Sequence, residues 1–101
     1  MKESKLSRES ILRELKNHLS QFGQHYGVTK IGVFGSAARD EMRQNSDIDV
    51  VVEMREPDLF YLVHIKEELE KEFNRRVDII RYRNTMNRRL KARIDREARY
   101  A

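Results

Sequence analysis

Cysteine is absent from the 101 residues, which excludes disulfides, thiolate catalysis and thiolate zinc sites together and suits a reducing compartment. No apolar run approaches the ~20 residues of a membrane span, and Met1 to Arg8 lacks the apolar core of a secretory signal. The chain is therefore read as cytoplasmic. Proline occurs once, at Pro57, and no repeat, low-complexity tract or linker divides the sequence. A chain of this length buries about two thirds of its unfolded surface, room for one sheet and a few helices, so residues 1–101 are expected to form a single domain. What the sequence does have is charge: 38% charged residues against 39% hydrophobic ones, with a net charge of +4. That excess suits a polyanionic partner such as a nucleotide or nucleic acid, and its location matters more than its sum.

The apolar residues carry clear periods. Ser7 is an N-cap for a helix with Glu9 in its first turn and Ile11, Leu12, Leu15, Leu19, Phe22 and Tyr26 at steps of three or four, broken at Gly23 or Gly27. Lys30 to Phe34 reads as a strand ending at Gly35-Ser36, Ala37 to Met42 as a short helix, and Arg43 to Ser46 as a turn into a strand from Asp47 to Met54. After Pro57, Leu59, Leu62, Val63, Leu69 and Phe73 make a helical stripe, Arg76 to Tyr82 a third strand, and Met86, Leu90, Ile94 and Ala98 a last helix. The order predicts an α/β or α+β fold, a small mixed sheet flanked by helices.

Within 34-FGSAARDEMRQNSDIDVVVE-53, two aspartates interrupt an apolar strand, although strands use aspartate sparingly. Alternation puts Asp47 and Asp49 on one face with Val51 and Glu53, and Ile48, Val50, Val52 and Met54 on the other. Neighbouring carboxylates repel unless solvated, protonated or bridged by a cation, and magnesium is the natural hard ion for carboxylate and phosphate oxygens. Asp-x-Asp alone is better explained as the solvated face of an edge strand. Gly35-Ser36, however, closes a strand and opens a helix, where backbone N–H groups can hold phosphate, with glycine permitting close approach and serine adding a hydroxyl. Asp78 lies mid-strand between Val77 and Ile79; burial without a partner would be costly, so it either pairs with Arg76 or Arg81 or joins the other acids from a neighbouring strand.

Gly35-Ser36, ten intervening residues and Asp47-Ile48-Asp49, followed by the strand acid Asp78, resemble the signature of the DNA polymerase beta superfamily of nucleotidyltransferases, and the short chain resembles its minimal branch. The resemblance runs from about Thr29 to Tyr82 and more loosely over both terminal helices. It implies a polymerase-beta-like fold and a two-metal, magnesium-dependent transfer of a nucleoside monophosphate from an NTP, ATP here, to an acceptor hydroxyl. Gly35 and Ser36 would hold the triphosphate, Asp47 and Asp49 would bind both metals, and Asp78 would bind one and help deprotonate the acceptor. Arg39 matches an arginine usual in the minimal branch, whereas Asp40 stands where a glycine is common.

The nucleotide-binding core consumes nearly the whole chain, so the acceptor must come from elsewhere. Minimal members pair with a HEPN protein, an all-helical ribonuclease toxin, and the resemblance implies an antitoxin that adds AMP to a toxin hydroxyl, usually a tyrosine. Two alternatives stand beside it: a non-catalytic antitoxin acting by contact, and a nucleotidyltransferase of small molecules or RNA ends. Six basic residues, Arg88, Arg89, Lys91, Arg93, Arg96 and Arg99, crowd the last helix and read first as a solvated face. His18, His25 and His64 show no metal spacing with one another or with the acids, and Tyr61, Tyr82 and Tyr100 read as packing residues.

Overall fold

The computed structural model describes residues 6–101; the start of the polar N-terminal stretch lies outside the described residues. Eight elements follow in order: α1 (Arg8–Tyr26), β1 (Val28–Phe34), α2 (Gly35–Ala38), β2 (Ile48–Met54), α3 (Leu59–Phe73), β3 (Val77–Arg81), α4 (Arg88–Glu97) and β4 (Arg99–Tyr100). The sheet runs β3-β2-β1-β4. β2 is antiparallel to β1 and parallel to β3, and β4 is antiparallel to β1. The expected mixed sheet flanked by helices is thus present.

Local chemistry explains the boundaries. Ser7 Oγ accepts from Ser10 N at 3.1 Å while Ser10 Oγ accepts from Ser7 N at 3.0 Å, a reciprocal cap that starts α1. The helix passes through Gly23 and stops at Gly27, whose φ of 72° is left-handed. Asp58 caps α3, its Oδ1 accepting from Phe60 N at 2.9 Å and Tyr61 N at 3.2 Å. Asn87 caps α4 through Leu90 N at 3.0 Å, so Met86 precedes that helix and Ala98 follows it.

Several expectations are corrected. β1 begins at Val28, two residues before Lys30, and α2 covers Gly35–Ala38 in place of Ala37 to Met42. The chain turns at Asp40, whose φ of 60° no helix continues. Asp47 precedes β2 without belonging to it. β4 was not expected, and it takes Arg99 off the basic helix. On α3, Leu59 and Val63 are 75% and 49% exposed, and Ile65 joins Leu69 and Phe73 in the core instead. Leu62, Ile65, Leu69 and Phe73 are the true stripe, at steps of three and four; Val63, one residue from Leu62, falls off that face, and Leu59 is the first residue of the helix, before the turn that docks on the sheet.

The sheet is covered on both sides. Ile31 and Val33 of β1, Ile48, Val50 and Val52 of β2 and Val77 of β3 pack against Ile11, Leu15 and Phe22 of α1 and Ile65, Leu69 and Phe73 of α3. On the opposite face Phe34 and Val51 pack under Ile94 of α4, with Ile80, Tyr82 and Leu90 around them. Val51, which shares the face of Asp49, is fully buried. β2 is therefore a central strand with apolar cover on both faces, not an edge strand with one wet face.

Candidate active site

Three strand ends meet on the α4 side of the sheet. Asp49 of β2 is paired in register with Phe34 of β1 on one side and with Asp78 of β3 on the other. Directly opposed residues on adjacent strands share a face, so the two side chains leave neighbouring strands, whose backbones run about 4.8 Å apart, on the same side of the sheet. Asp47 sits at the entry to β2. Burial pushes the Asp49 carboxyl above its usual range, Asp78 and then Asp47 add to the rise, and Arg93 and Arg39 oppose it. The three acids predicted from sequence therefore interact electrostatically through Asp49.

Their exposures differ from expectation. Asp49 is half-buried, but Asp47 and Asp78 are exposed. Asp78 escapes the cost of burial because β3 is the outer strand of the sheet. It makes no ion pair with Arg76 or Arg81 among the described residues.

Gly35 is the hinge of the site. Its φ is 68°, and a Cβ there would collide with Asp49 Oδ2 and stand 3.2 Å from Arg93 Nη2. Only glycine satisfies both the left-handed backbone and the close approach of the acid. Ser36 follows, half-buried in the single turn of α2. Arg39 lies just past that turn, donating Nε to Glu41 Oε1 at 3.0 Å and Nη1 to Glu97 Oε1 at 3.3 Å. Asp40 then takes the left-handed conformation that glycine favours; its Oδ1 accepts from Arg8 N at 2.8 Å, and Arg8 Nη1 bonds Ala38 O at 3.0 Å. An aspartate tolerates this backbone better than most residues, so the turn survives without a glycine.

A family model described as a nucleotidyltransferase domain matches residues 12–101. The chain belongs to that family. A Methanocaldococcus jannaschii protein named "Putative protein adenylyltransferase" is 39% identical over 86% of this chain and 94% of its own length. The protein adenylyltransferase MntA of Thermococcus cleftensis is 37% identical over 74% of this chain and 77% of its own. Among solved structures, a minimal nucleotidyltransferase superposes with a TM-score of 0.78 at 34% identity, covering 96% of this chain and 98% of that one. The MNT antitoxin complexed with a tri-AMPylated Shewanella oneidensis HEPN toxin superposes at 0.67 with 15% identity, covering 92% and 70%. At that identity the likeness speaks for the fold alone.

Two residues that sequence reasoning did not bring to this end of the sheet, Arg93 and Glu97, lie there in the structure. Both belong to α4, whose basic residues read as a solvated face. Arg93 instead stacks over the buried ring of Phe34, 5.6 Å from its centroid, and pairs through Nε with Glu97 Oε1 at 3.4 Å. Their spacing of four was legible, but the face on which α4 docks was not. A different correction concerns His18: its Nε2 lies 3.3 Å from Glu72 Oε1, and Glu14, His18 and Glu72 bring one ligand atom each within 4.8 Å of one another. Glu14 and His18 are one turn apart, and α3 supplies Glu72 from across the fold. That cluster sits on the α1/α3 side of the sheet, away from the three aspartates.

Proposed function

We propose that this nucleotidyltransferase is the antitoxin of a toxin–antitoxin pair, acting in the cytoplasm as one minimal domain. It transfers AMP from ATP to a hydroxyl, a tyrosine by family resemblance, of a HEPN ribonuclease toxin. The observation that carries the reading is the register that sets Asp78 beside Asp49, next to Asp47 and Gly35. Support comes from relatives named protein adenylyltransferases and from neighbours crystallised as toxin–antitoxin complexes, one with AMP-PNP and one with an AMPylated toxin.

Asp47, Asp49 and Asp78 offer magnesium an all-oxygen donor set, but among the described residues only Glu14, His18 and Glu72 bring three ligand atoms within 4.8 Å of one another, so the aspartate side chains would have to close around an ion. Burial and the neighbouring acids raise the Asp49 carboxyl, and a divalent cation would favour its ionised form. Two ions bound there would neutralise charge on the reacting phosphate and on the leaving pyrophosphate. The protein's own residues supply the rest. The Gly35 N–H, the Ser36 hydroxyl and the Arg39 guanidinium hold the triphosphate, and Asp78, on the open edge of the sheet, faces the side from which an acceptor arrives. The acceptor oxygen attacks the α-phosphorus, the bond to the bridging oxygen breaks, pyrophosphate leaves, and the acceptor proton passes towards Asp78.

The test is incubation with Mg-ATP and a cognate HEPN protein, read by mass spectrometry of that protein beside a toxicity-rescue assay. One AMP or more should appear on the toxin, and Asp47→Ala/Asp49→Ala should abolish both labelling and rescue. Full rescue by the double variant with an unmodified toxin would instead establish neutralisation by contact.

A further inference from the structure

α4 reaches the sheet through Ile94, its one buried residue among those described, and this carries the neighbouring Arg93 and Glu97 to the end of β1. There, a single oxygen, Glu97 Oε1, accepts from Gly35 N at 3.2 Å and from Arg39 Nη1 at 3.3 Å, and pairs with Arg93 Nε at 3.4 Å. The Glu97 side chain is 19% exposed, against 44% and 45% for the two arginines. An ordinary helix-surface pair at a spacing of four accounts for Arg93 and Glu97 alone. It does not account for the backbone N–H and the second guanidinium, which come from a distant part of the chain. Two planar guanidinium groups and an N–H converging on one anionic oxygen are the donor set that holds phosphate. The set lies against Asp49, whose carboxylate packs on the same Gly35.

We infer that Arg93 is a triphosphate-binding residue of this chain, and that Glu97 occupies the same seat in the free protein and is displaced by nucleotide. The inference rests on the nucleotidyltransferase reading and extends it to α4. A carboxylate and a phosphate repel each other and cannot share three donors, so binding requires Glu97 to leave. Its flexible side chain swings out by rotation about its own bonds, with α4 staying docked through Ile94. The fraction of molecules in which Glu97 is out sets the apparent affinity.

The experiment is calorimetric titration of the full chain with Mg-ATP and, separately, with inorganic tripolyphosphate, which lacks the base and ribose. Glu97→Gln removes the competing charge and is expected to tighten both ligands by roughly threefold to tenfold. Arg93→Gln should weaken both by roughly tenfold, with Arg93→Lys recovering part of the loss. A Glu97 that merely orients the arginines predicts the opposite sign, so weaker binding by Glu97→Gln overturns the displacement. Unchanged binding by Arg93→Gln overturns the role of Arg93. Melting curves without ligand establish that each variant is folded; should Glu97→Gln be unfolded, Glu97→Asp, one methylene shorter, is read for the same tightening. Wild type that binds neither ligand would remove the underlying functional reading. Wild type that binds Mg-ATP through Asp49, with variants indistinguishable from it, would remove only this inference.

Discussion

Among the described residues, fifteen are buried in the cluster between the sheet and helices α1 and α3, against three in the cluster under α4. The same strands feed both, because alternate residues of β1 and β2 point to opposite faces. On the first face the chain spends its Ile, Leu, Val and Phe on packing. On the second, Asp49, Asp78, Gly35, Arg93 and Glu97 occupy places where apolar residues would have added stability. Charges gathered around a reactive centre need water or ligand, and a fully packed layer admits neither. The fold therefore separates the two demands by strand parity, and stability should respond to mutation on one face and nucleotide on the other.

The sharpest break would come from Phe22→Ala. Phe22 is fully buried and packs with His18 and Tyr26, so denaturant unfolding should show a loss of about 4 kcal/mol. Ile94→Ala on the α4 face should lose less, about 2 kcal/mol, because fewer neighbours surround the cavity, but it should also weaken Mg-ATP binding by loosening Arg93. Equal losses from the two variants, with nucleotide affinity untouched in both, would erase the distinction between the faces. Asp58→Ala removes the cap of α3 and should cost about 1 kcal/mol in unfolding experiments, with calorimetric ATP affinity unchanged.

The smallest effect carries an opposite sign. Burial, then Asp78 and Asp47, raise the Asp49 carboxyl against the pull of Arg93 and Arg39, so without divalent cation the folded state holds this proton more tightly than the unfolded chain does. Stability is thus lost as pH rises from the unfolded value, about 3.9, through the higher folded one. Asp49→Asn, which cannot ionise, should melt above wild type at pH 7, and the gap should close as pH falls below about 4. A gap that widens towards acid would mean that Asp49 stabilises the fold as an anion.

Much of the first face was legible in sequence. The period of α1 and the alternation of β2 are short-range patterns, and each led to the right element; the glycine-serine to aspartate spacing, equally short-range, named residues that the structure gathers at one end of the sheet. What sequence did not disclose depends on docking. Val51 is hidden because α4 lies across it, and nothing local in Asp47 to Met54 says that both faces are covered. β4 has only two residues, too few to show a period. Asp78 was placed beside Asp49 only conditionally, since strand order is a tertiary property, and its exposure followed from β3 being outermost. Arg93 stood among five similar residues, and what distinguishes it is tertiary: its place over Phe34, beside Gly35 and paired with Glu97.

β4 bears on the order in which the molecule assembles. Tyr100 pairs with Gly32, far away in the sequence, and the pairing is possible because residue 32 has no side chain to strike the backbone of Arg99 and Tyr100. Closing so long a loop is entropically costly and slow compared with forming β1, β2, α3 and β3, which follow one another along the chain. A refolding chain should therefore complete its acidic cluster first and acquire Arg93 and Glu97 last, when β4 zips onto β1 and brings α4 to rest. Stopped-flow refolding followed at Tyr100 should lag behind the signal from α1, and Gly32→Ala should lengthen that lag without slowing the earlier phase.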